Sequence, residues 1–99
     1  MMGNWINVMY LTLGSNGLTA KGIKTLLKKD NLESLKHLYL NDNLLDANAG
    51  SVLADAIWAK IEIINLNFNS LGSLGLKTLQ KNTWKTLKEL YLLKNNITN

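Results

Sequence analysis

One eleven-residue pattern occurs four times in the chain, and this repetition limits what the chain can fold into more than any other sequence feature. In each copy the first, fourth, sixth and eleventh sites are Leu, Ile or Val, and the ninth site is Asn. The copies are Val8, Leu11, Leu13, Asn16 and Leu18; Leu35, Leu38, Leu40, Asn43 and Leu45; Ile61, Ile64, Leu66, Asn69 and Leu71; and Leu87, Leu90, Leu92, Asn95 and Ile97. Their Asn residues are spaced 27, 26 and 26 apart. The apolar alternation predicts a short strand in every copy.

Between the strand segments the spacing becomes helical, which predicts a helix after each of the first three strands. The residues with this spacing are Leu18, Gly22, Ile23, Leu26 and Leu27; Leu45, Ala49, Gly50, Leu53, Ala54 and Ile57; and Leu71, Gly75, Leu76 and Leu79. Gly22, Ala49 and Gly75 share one site, where a small residue is expected to let the helix lie close to the sheet. The predicted N-caps, at one equivalent site before each helix, are Thr19, Asp46 and Gly72.

This strand motif followed by a helix resembles the leucine-rich repeat, and the resemblance covers residues 5 to 99. A whole helix in every repeat is similar to the ribonuclease-inhibitor-like branch of that family. The resemblance implies an α/β solenoid, a short right-handed β/α horseshoe arc with a parallel β-sheet on its concave face and helices on its convex face. We expect a single domain, residues 1–99, with repeats at about 5–31, 32–57, 58–83 and 84–99 and no clear cap.

The four Asn residues of the motif are expected to be structural. They fall where the chain turns off each strand, and an amide carries both donors and an acceptor for backbone groups that the turn would otherwise bury unpaired. The members of this Asn ladder are Asn16, Asn43, Asn69 and Asn95. Because Asn95 lies near the end of the chain, we expect it to fray.

The three Trp residues share one phase of the repeat. Trp5, Trp58 and Trp84 each lie three residues before the first apolar site of the following strand. Identical phase predicts an internal packing column beneath the loop that returns to the sheet. We therefore favour a core role for these residues over a role as stacking platforms for a ligand.

The third, fifth, seventh and eighth motif sites are expected to face outward from the strands. Every Tyr, the only Phe and the only His of the chain lie at these sites. The resemblance implies that this face is concave and binds a partner protein. The predicted contact residues are Tyr10, Thr12, His37, Tyr39, Asn41, Asp42, Asn65, Asn67, Phe68, Glu89 and Tyr91. We expect most from the aromatic ones, Tyr10, Tyr39, Phe68 and Tyr91, and from His37.

A simpler explanation of these aromatic residues is that Tyr and Phe favour strands whatever their function. Tyr39 and Tyr91 share one motif site, which favours a binding patch instead. The charges of this face nearly cancel, since Asp42 and Glu89 stand against Lys94. The expected partner is therefore a protein without a strong net charge.

The composition argues against an enzyme. Without Cys and with a single His, a transition-metal site or a thiol nucleophile is not expected, and we predict no metal and no cofactor. The one conceivable hydrolytic triad is Ser15, His37 and Asp42. In an extended segment His37 and Asp42 would be about 16 Å apart, at roughly 3.3 Å per residue, which is too far for a triad.

A second function is suggested by the net charge of +4, which comes from eleven Lys and no Arg against seven acids. Lysines on the helices could bind nucleic acid or anionic lipid weakly. Those on the first and third predicted helices are Lys21, Lys24 and Lys28, and Lys77 and Lys81. The second predicted helix carries Asp46 and Asp55 between them, and bidentate recognition by Arg is missing, so nucleic acid is the weaker alternative.

The chain begins with no basic stretch followed by an apolar run, and no window reaches the ~18 apolar residues of a membrane span. We therefore expect a cytoplasmic protein. Trp5 already lies in repeat phase and the chain stops after the fourth motif, so we expect part of a longer array whose uncapped ends could associate end to end. The first alternative to a simple binding module is thus a regulatory or sensor segment of a larger protein, GTPase-activator-like or immune-receptor-like.

Overall fold

The computed structural model describes residues 9–27 and 33–97. In this part of the chain, strands and helices alternate, as the two kinds of apolar spacing predicted. The elements are β1 (Tyr10–Thr12), α1 (Ala20–Leu26), β2 (His37–Tyr39), α2 (Ala47–Asp55), β3 (Ile63–Asn65), α3 (Gly72–Leu79) and β4 (Glu89–Tyr91). The protein is therefore an α/β protein with a four-stranded parallel sheet and three helices among the described residues.

The sheet has the strand order β1-β2-β3-β4, and each neighbouring pair is parallel. Equivalent motif sites lie opposite one another in all three pairs. The two sites that face away from the helices form the rows Tyr10, His37, Ile63 and Glu89, and Thr12, Tyr39, Asn65 and Tyr91. A residue chosen at one motif site therefore becomes a neighbour of its counterparts across the whole sheet.

The core lies between the sheet and the helices. The central residues of β2 and β3, Leu38 and Ile64, are fully buried together with Ile23, Leu53 and Leu79 from the three helices. In the first and last copies the equivalent strand residues are only partly buried, because each has a neighbouring copy on one side only among the described residues. These residues are Leu11, Leu13 and Leu18, and Leu87, Leu90 and Leu92; Val8 lies outside the described residues.

Two details of the helices differ from the prediction. Ile57 was expected on the inner side of the second helix, but α2 ends at Asp55 and Ala56 turns extended, which leaves Ile57 68% exposed. Thr19 and Asp46 cap their helices through side-chain oxygens. Gly72 does not cap α3: it is the first residue of the helix with φ +68°, and Leu71 is the N-cap. The carbonyl of Leu71 accepts the Gly75 N–H at 3.1 Å, so α3 begins one residue earlier than the repeat predicts.

Small residues in the helices bring α2 and α3 together. A Cβ atom on Gly75 would lie 3.1 Å from the Cα of Ala47 in α2, and one on Gly50 would overlap the carbonyl oxygen of Gly75. For Gly75, one of the three small residues expected to let a helix approach the sheet, the tight contact outside its own copy is therefore with the adjacent helix. Gly22 in α1 makes no such contact, because a Cβ atom there would have Leu18 Cδ2 as its nearest neighbour, at 3.5 Å.

The two described Trp residues flank the core. The rings of Trp58 and Trp84 stack with centroids 6.2 Å apart and planes at 30°, and both pack against the buried cluster while remaining half-buried. Each indole Nε1 donates to a carbonyl at the end of the preceding helix, Leu53 for Trp58 and Leu79 for Trp84, at 2.9 Å. The predicted column is thus a stacked pair at the edge of the core; Trp5 lies outside the described residues.

The Asn side chains join each copy to the one before it. The Oδ1 of Asn43 accepts the backbone N–H groups of Asn16 and Leu18, both at 2.9 Å, and its Nδ2 donates to the carbonyls of Leu13 and Leu40. These two acceptor bonds and the Leu13 bond cross to the preceding copy, 25 to 30 residues away. Asn43 is 7% exposed, so almost all of this amide is withdrawn from water.

Asn69 and Asn95 repeat this arrangement one and two copies later. Asn69 accepts from the backbone of Asn43 and Leu45 and donates to Leu40. Asn95 was expected to fray, but it is 2% exposed, accepts from Leu71 and donates to Leu66. Asn16 differs, because its side chain is exposed and donates to the carbonyl of Gly14 in its own loop. The amides reach backward along the chain, so the ladder is buried at its last member and open at its first.

Replacing Asn43 with Ala is expected to lower the free energy of unfolding by roughly 1–3 kcal/mol, because the N–H groups of Asn16 and Leu18 and the carbonyl of Leu13 lose their partner at once. Urea unfolding followed by far-ultraviolet circular dichroism measures the change. Asn16→Ala is the matched control at the same motif site and should change stability by less than about 0.5 kcal/mol, as an exposed substitution does. Equal losses for both variants would contradict this role of the ladder.

The contact between α2 and α3 predicts that two Gly→Ala substitutions change the free energy of unfolding in opposite directions. Gly50→Ala should destabilise the protein by about 1–3 kcal/mol, because the new methyl group overlaps the Gly75 carbonyl and the helices must separate. Gly22→Ala, also within a helix but with only ordinary van der Waals contacts for the new methyl group, should stabilise by about 0.5–1 kcal/mol through helix propensity. A urea midpoint of Gly50→Ala that rises together with that of Gly22→Ala would show that α2 and α3 can separate at little cost.

Candidate functional site

One face of the sheet is covered by the helices, and the other is turned away from them. We call the second surface the open face; it consists of the third and fifth motif sites together with the seventh and eighth sites in the turns that follow. Its residues are Tyr10, Thr12, Gly14 and Ser15; His37, Tyr39, Asn41 and Asp42; Ile63, Asn65, Asn67 and Phe68; and Glu89, Tyr91, Leu93 and Lys94. All are exposed or half-buried, so a partner can reach this surface. It carries every predicted contact residue.

An aromatic cluster occupies the β1–β2 side of the open face. The ring centroids of Tyr10 and His37 lie 4.6 Å apart with planes at 71°, and those of His37 and Tyr39 lie 6.1 Å apart at 87°. The Oη of Tyr39 is 3.3 Å from His37 Nδ1, and His37 Nε2 is 3.9 Å from a carboxylate oxygen of Glu62. Edge-to-face packing of this kind is favourable. The imidazole is therefore held from both sides and presents an ordered, largely apolar surface with Tyr10.

A second aromatic group lies on β4. The Tyr91 hydroxyl donates a hydrogen bond to the carboxylate of Glu89 two residues earlier. This bond, then desolvation and the negative charge of Glu89, raise the pKa of Tyr91 above its ordinary value of 10.0. The phenol, which is neutral at physiological pH even at its ordinary pKa, therefore holds its proton to still higher pH, and the ring is exposed. Asn65 lies between Tyr39 and Tyr91 in the same row, so the two aromatic groups flank β3.

The central part of the open face presents amide donors. The Oδ1 of Asn65 accepts the N–H of Asn67 at 2.9 Å, and the Oδ1 of Asn67 accepts the N–H of Leu93 at 2.7 Å. Both oxygens thus hold the turns after β3 and β4 in place. No acceptor for either Nδ2 is found in the described part of the chain, where no buried side-chain nitrogen or oxygen lacks a partner. These two NH₂ groups therefore face water and can donate to a bound partner.

The eighth motif site has a left-handed backbone in every copy. Ser15, Asp42, Phe68 and Lys94 all have φ between 58° and 60°. Asp42 N–H donates to Asn67 and Phe68 N–H donates to Leu93, at 2.9 and 2.7 Å, so the turn is held by the next copy. For a residue other than Gly this conformation costs about 1–2 kcal/mol. A bulky Phe gains nothing from such a backbone position, and Phe68 is nevertheless 46% exposed there.

Three residues of this region were not singled out by the sequence analysis. Leu93 is strongly exposed beside Tyr91, and Glu62 lies between His37 and Lys88, whose Nζ is 3.7 Å from the other Glu62 carboxylate oxygen. Lys36, Glu62 and Lys88 stand at the second motif site of successive copies. Because equal motif sites become neighbours in the sheet, this alternation of positive and negative charge at one site could have predicted the ion pair between Glu62 and Lys88.

The charges are divided between the two sides of the molecule. On the open face Asp42 and Glu89 stand against Lys94. On the helical side Lys21, Lys24, Lys77 and Lys81 are exposed, and the exposed Asp46 and Asp55 belong to the α2 region between them. Lys28 lies outside the described residues. Neither side carries an unbroken stripe of one sign among the residues that the structure describes.

The described residues contain no group of three or more His, Asp and Glu placed to hold a metal ion. Within residues 9–27 and 33–97, the His37 ring makes ring contacts, a hydrogen bond or an ion pair with Tyr10, Tyr39 and Glu62, and no interaction of these kinds joins it to Ser15 or Asp42. No helix in this same part of the chain has both the length and the apolar character needed to cross a bilayer.

Comparisons of the chain with protein-family models, with curated proteins and with solved structures found no match.

Replacing Glu89 with Gln should lower the pKa of Tyr91 toward 10.0, because the charged acceptor that stabilises the neutral phenol is removed. In the unmodified chain the hydrogen bond persists at neutral pH and is lost as the pH rises through the raised pKa. The measurement is a tyrosinate absorbance titration, with the Tyr91→Phe titration subtracted to isolate this hydroxyl.

Glu62→Gln is the matched control for this titration, since Glu62 is not among the groups that perturb Tyr91. It should leave the Tyr91 transition where it is. A Tyr91 transition that moves with Glu62 and not with Glu89 would contradict the assignment.

Proposed function

We propose that the chain is a leucine-rich-repeat solenoid segment that binds a partner protein through the open face. The fold part of this proposal is supported by strands that pair in identical register from copy to copy and by Asn side chains that link each copy to the preceding one. Such copies bury their apolar sites mainly against their neighbours, as solenoid repeats do.

The observation that carries the binding proposal is the composition of the open face. Among residues 9–27 and 33–97, Tyr10, Phe68, Tyr91 and Leu93 are four of the nine large exposed apolar residues, and all four lie on this surface. Tyr and Phe give much contact area at low entropy cost, which is why they are common at interface centres. Exposure of Phe68 in a left-handed turn adds to this, because packing inside the protein does not explain it.

The charge of the open face indicates what kind of protein surface it can bind, and its size indicates how tightly. Near-neutral charge and free amide donors on Asn65 and Asn67 suit a protein surface with apolar side chains and exposed carbonyl groups. Four strands at ~4.8 Å spacing give a flat area on the order of 200 Å², against about 800 Å² per partner in a stable complex. We therefore expect this chain alone to bind weakly, with the aromatic residues supplying most of the affinity.

The test is a double substitution, Tyr39→Ala with Tyr91→Ala. A protein captured from lysate of the source cells is purified and titrated against both chains by calorimetry. Loss of two aromatic anchors should weaken binding about thirtyfold, which corresponds to about 2 kcal/mol. Both rings are at least partly exposed, so the urea midpoint should change little.

Leu74→Ala with Ile57→Ala is the matched control, because it removes two exposed apolar side chains outside the open face. This control should bind like the unmodified chain. Unchanged affinity of the double Tyr variant would overturn the proposal. Binding that instead falls steeply with salt and depends on Lys21 and Lys77 would favour the helical surface and an anionic partner.

A further inference from the structure

The loop after β1 contains the only Asn-Gly pair in the sequence, Asn16-Gly17. Asn16 occupies the ladder site, yet its side chain is exposed, whereas Asn43, Asn69 and Asn95 are 7%, 5% and 2% exposed. The Asn16 Nδ2 donates to the Gly14 carbonyl at 3.1 Å on the protein surface. A bond of this kind exchanges readily with water, so this amide can change rotamer without opening the fold.

The backbone nitrogen that follows Asn16 is also free. The N–H groups of Asn16 and Leu18 both donate to Asn43 Oδ1, and Gly17 N–H, which lies between them, has no acceptor among the described residues. Gly17 is exposed with φ +64°, and no atom lies within 4 Å of the position that a Cβ would take. Attack by this nitrogen on the neighbouring amide would therefore meet no competing hydrogen bond from the described residues, in a loop that is open to solvent at Gly17.

At the buried ladder members Asn43 and Asn69, the backbone N–H of the following residue is hydrogen-bonded. Leu44 N–H donates to the Leu18 carbonyl at 2.8 Å, and Ser70 N–H donates to the Leu45 carbonyl at 2.7 Å. Each of these nitrogens follows a buried Asn whose amide oxygen and nitrogen are both engaged. The folded chain therefore protects the Asn43 and Asn69 amides and leaves Asn16 reactive.

We propose that Asn16 is a site of spontaneous deamidation in the folded protein. Hydroxide removes the Gly17 N–H proton and the nitrogen attacks Asn16 Cγ. The Cγ–Nδ2 bond then breaks, Nδ2 takes a proton from water and leaves as ammonia, and a five-membered succinimide remains. Water then adds to either carbonyl carbon of the ring and the C–N bond there breaks. Opening at one carbonyl gives aspartate with the original backbone, and opening at the other gives isoaspartate, whose backbone runs through the side chain.

The two products affect the β1–β2 junction differently. Aspartate keeps the spacing between the Asn16 and Leu18 N–H groups, so both can still donate to Asn43 Oδ1. Isoaspartate adds one methylene group to the backbone between these two donors. One of the two bonds must then break, and the carboxylate formed beside Ser15 adds a negative charge at the edge of the open face.

The experiment incubates the folded chain in warm, mildly alkaline buffer and follows Asn16 and Asn69 by peptide mass spectrometry with fragmentation that separates isoaspartate from aspartate. The small mass gain of an amide converted to an acid is expected at Asn16, and a parallel incubation in urea supplies the unfolded rate of each residue. Asn16 should react in the folded chain within about a few-fold of its rate in urea, and Asn69 should be slowed at least about tenfold. Asn16→Gln should remove the signal from this loop.

Folding that slows Asn16 as strongly as Asn69 would overturn the proposal. The effect on the junction is tested with Asn16→Asp, which carries the new charge on an unchanged backbone. The aged isoaspartate form should unfold at lower urea concentration than Asn16→Asp. An identical midpoint for the two would overturn the predicted loss of the Asn43 bond.

Discussion

The hydrogen bonds from each buried Asn to the preceding copy are the interaction on which the rest of this structure depends. The strands are three residues long, at the short end of the usual range, so each pair of strands contributes few hydrogen bonds of its own. Asn43 and Asn69 extend the connection beyond the strands into the turns, where they pair backbone groups that point into the interior. Without these amides the turns could not be buried, and the apolar sites on either side would not meet.

The same turns determine how the open face is presented. The eighth motif site, which directly precedes the ladder Asn, has a left-handed backbone in each copy. Its side chains stand out at the end of the strands, next to the row that contains Tyr39 and Tyr91. Residues that stabilise the fold therefore alternate along the chain with residues that a partner can contact. Asn67 belongs to both groups, because its side chain holds a turn and also lies on the open face.

The sequence predicted the parts of this structure that follow from spacing. Alternating apolar sites at nearly constant intervals allow only one register that buries the same sites in every copy, so the strands, their order and the open face could be derived before any coordinates. The exposure of Ile57, the position of Gly72 in its helix and the burial of the two end members of the Asn ladder could not be derived in this way, because they depend on contacts between copies and on where each helix ends. The end of α2 exposes Ile57, Asn95 bonds to the start of α3, and the backward direction of the amides buries Asn95 while exposing Asn16. The repeat pattern does not show whether each Asn side chain bonds to the preceding copy or to the following one.

The glycine contact between α2 and α3 affects the curvature of the sheet. Neighbouring strands lie ~4.8 Å apart, whereas packed helices usually keep 8–10 Å between their axes, so a layer of helices that is wider than its strands bends the sheet away from them. Gly50 and Gly75 let the backbones of α2 and α3 touch, and Gly22 provides no such contact for α1. The sheet should consequently bend less between β2 and β3 than between β1 and β2, so that Asn65 and Phe68 lie next to its flatter part, where a broad partner can approach most closely.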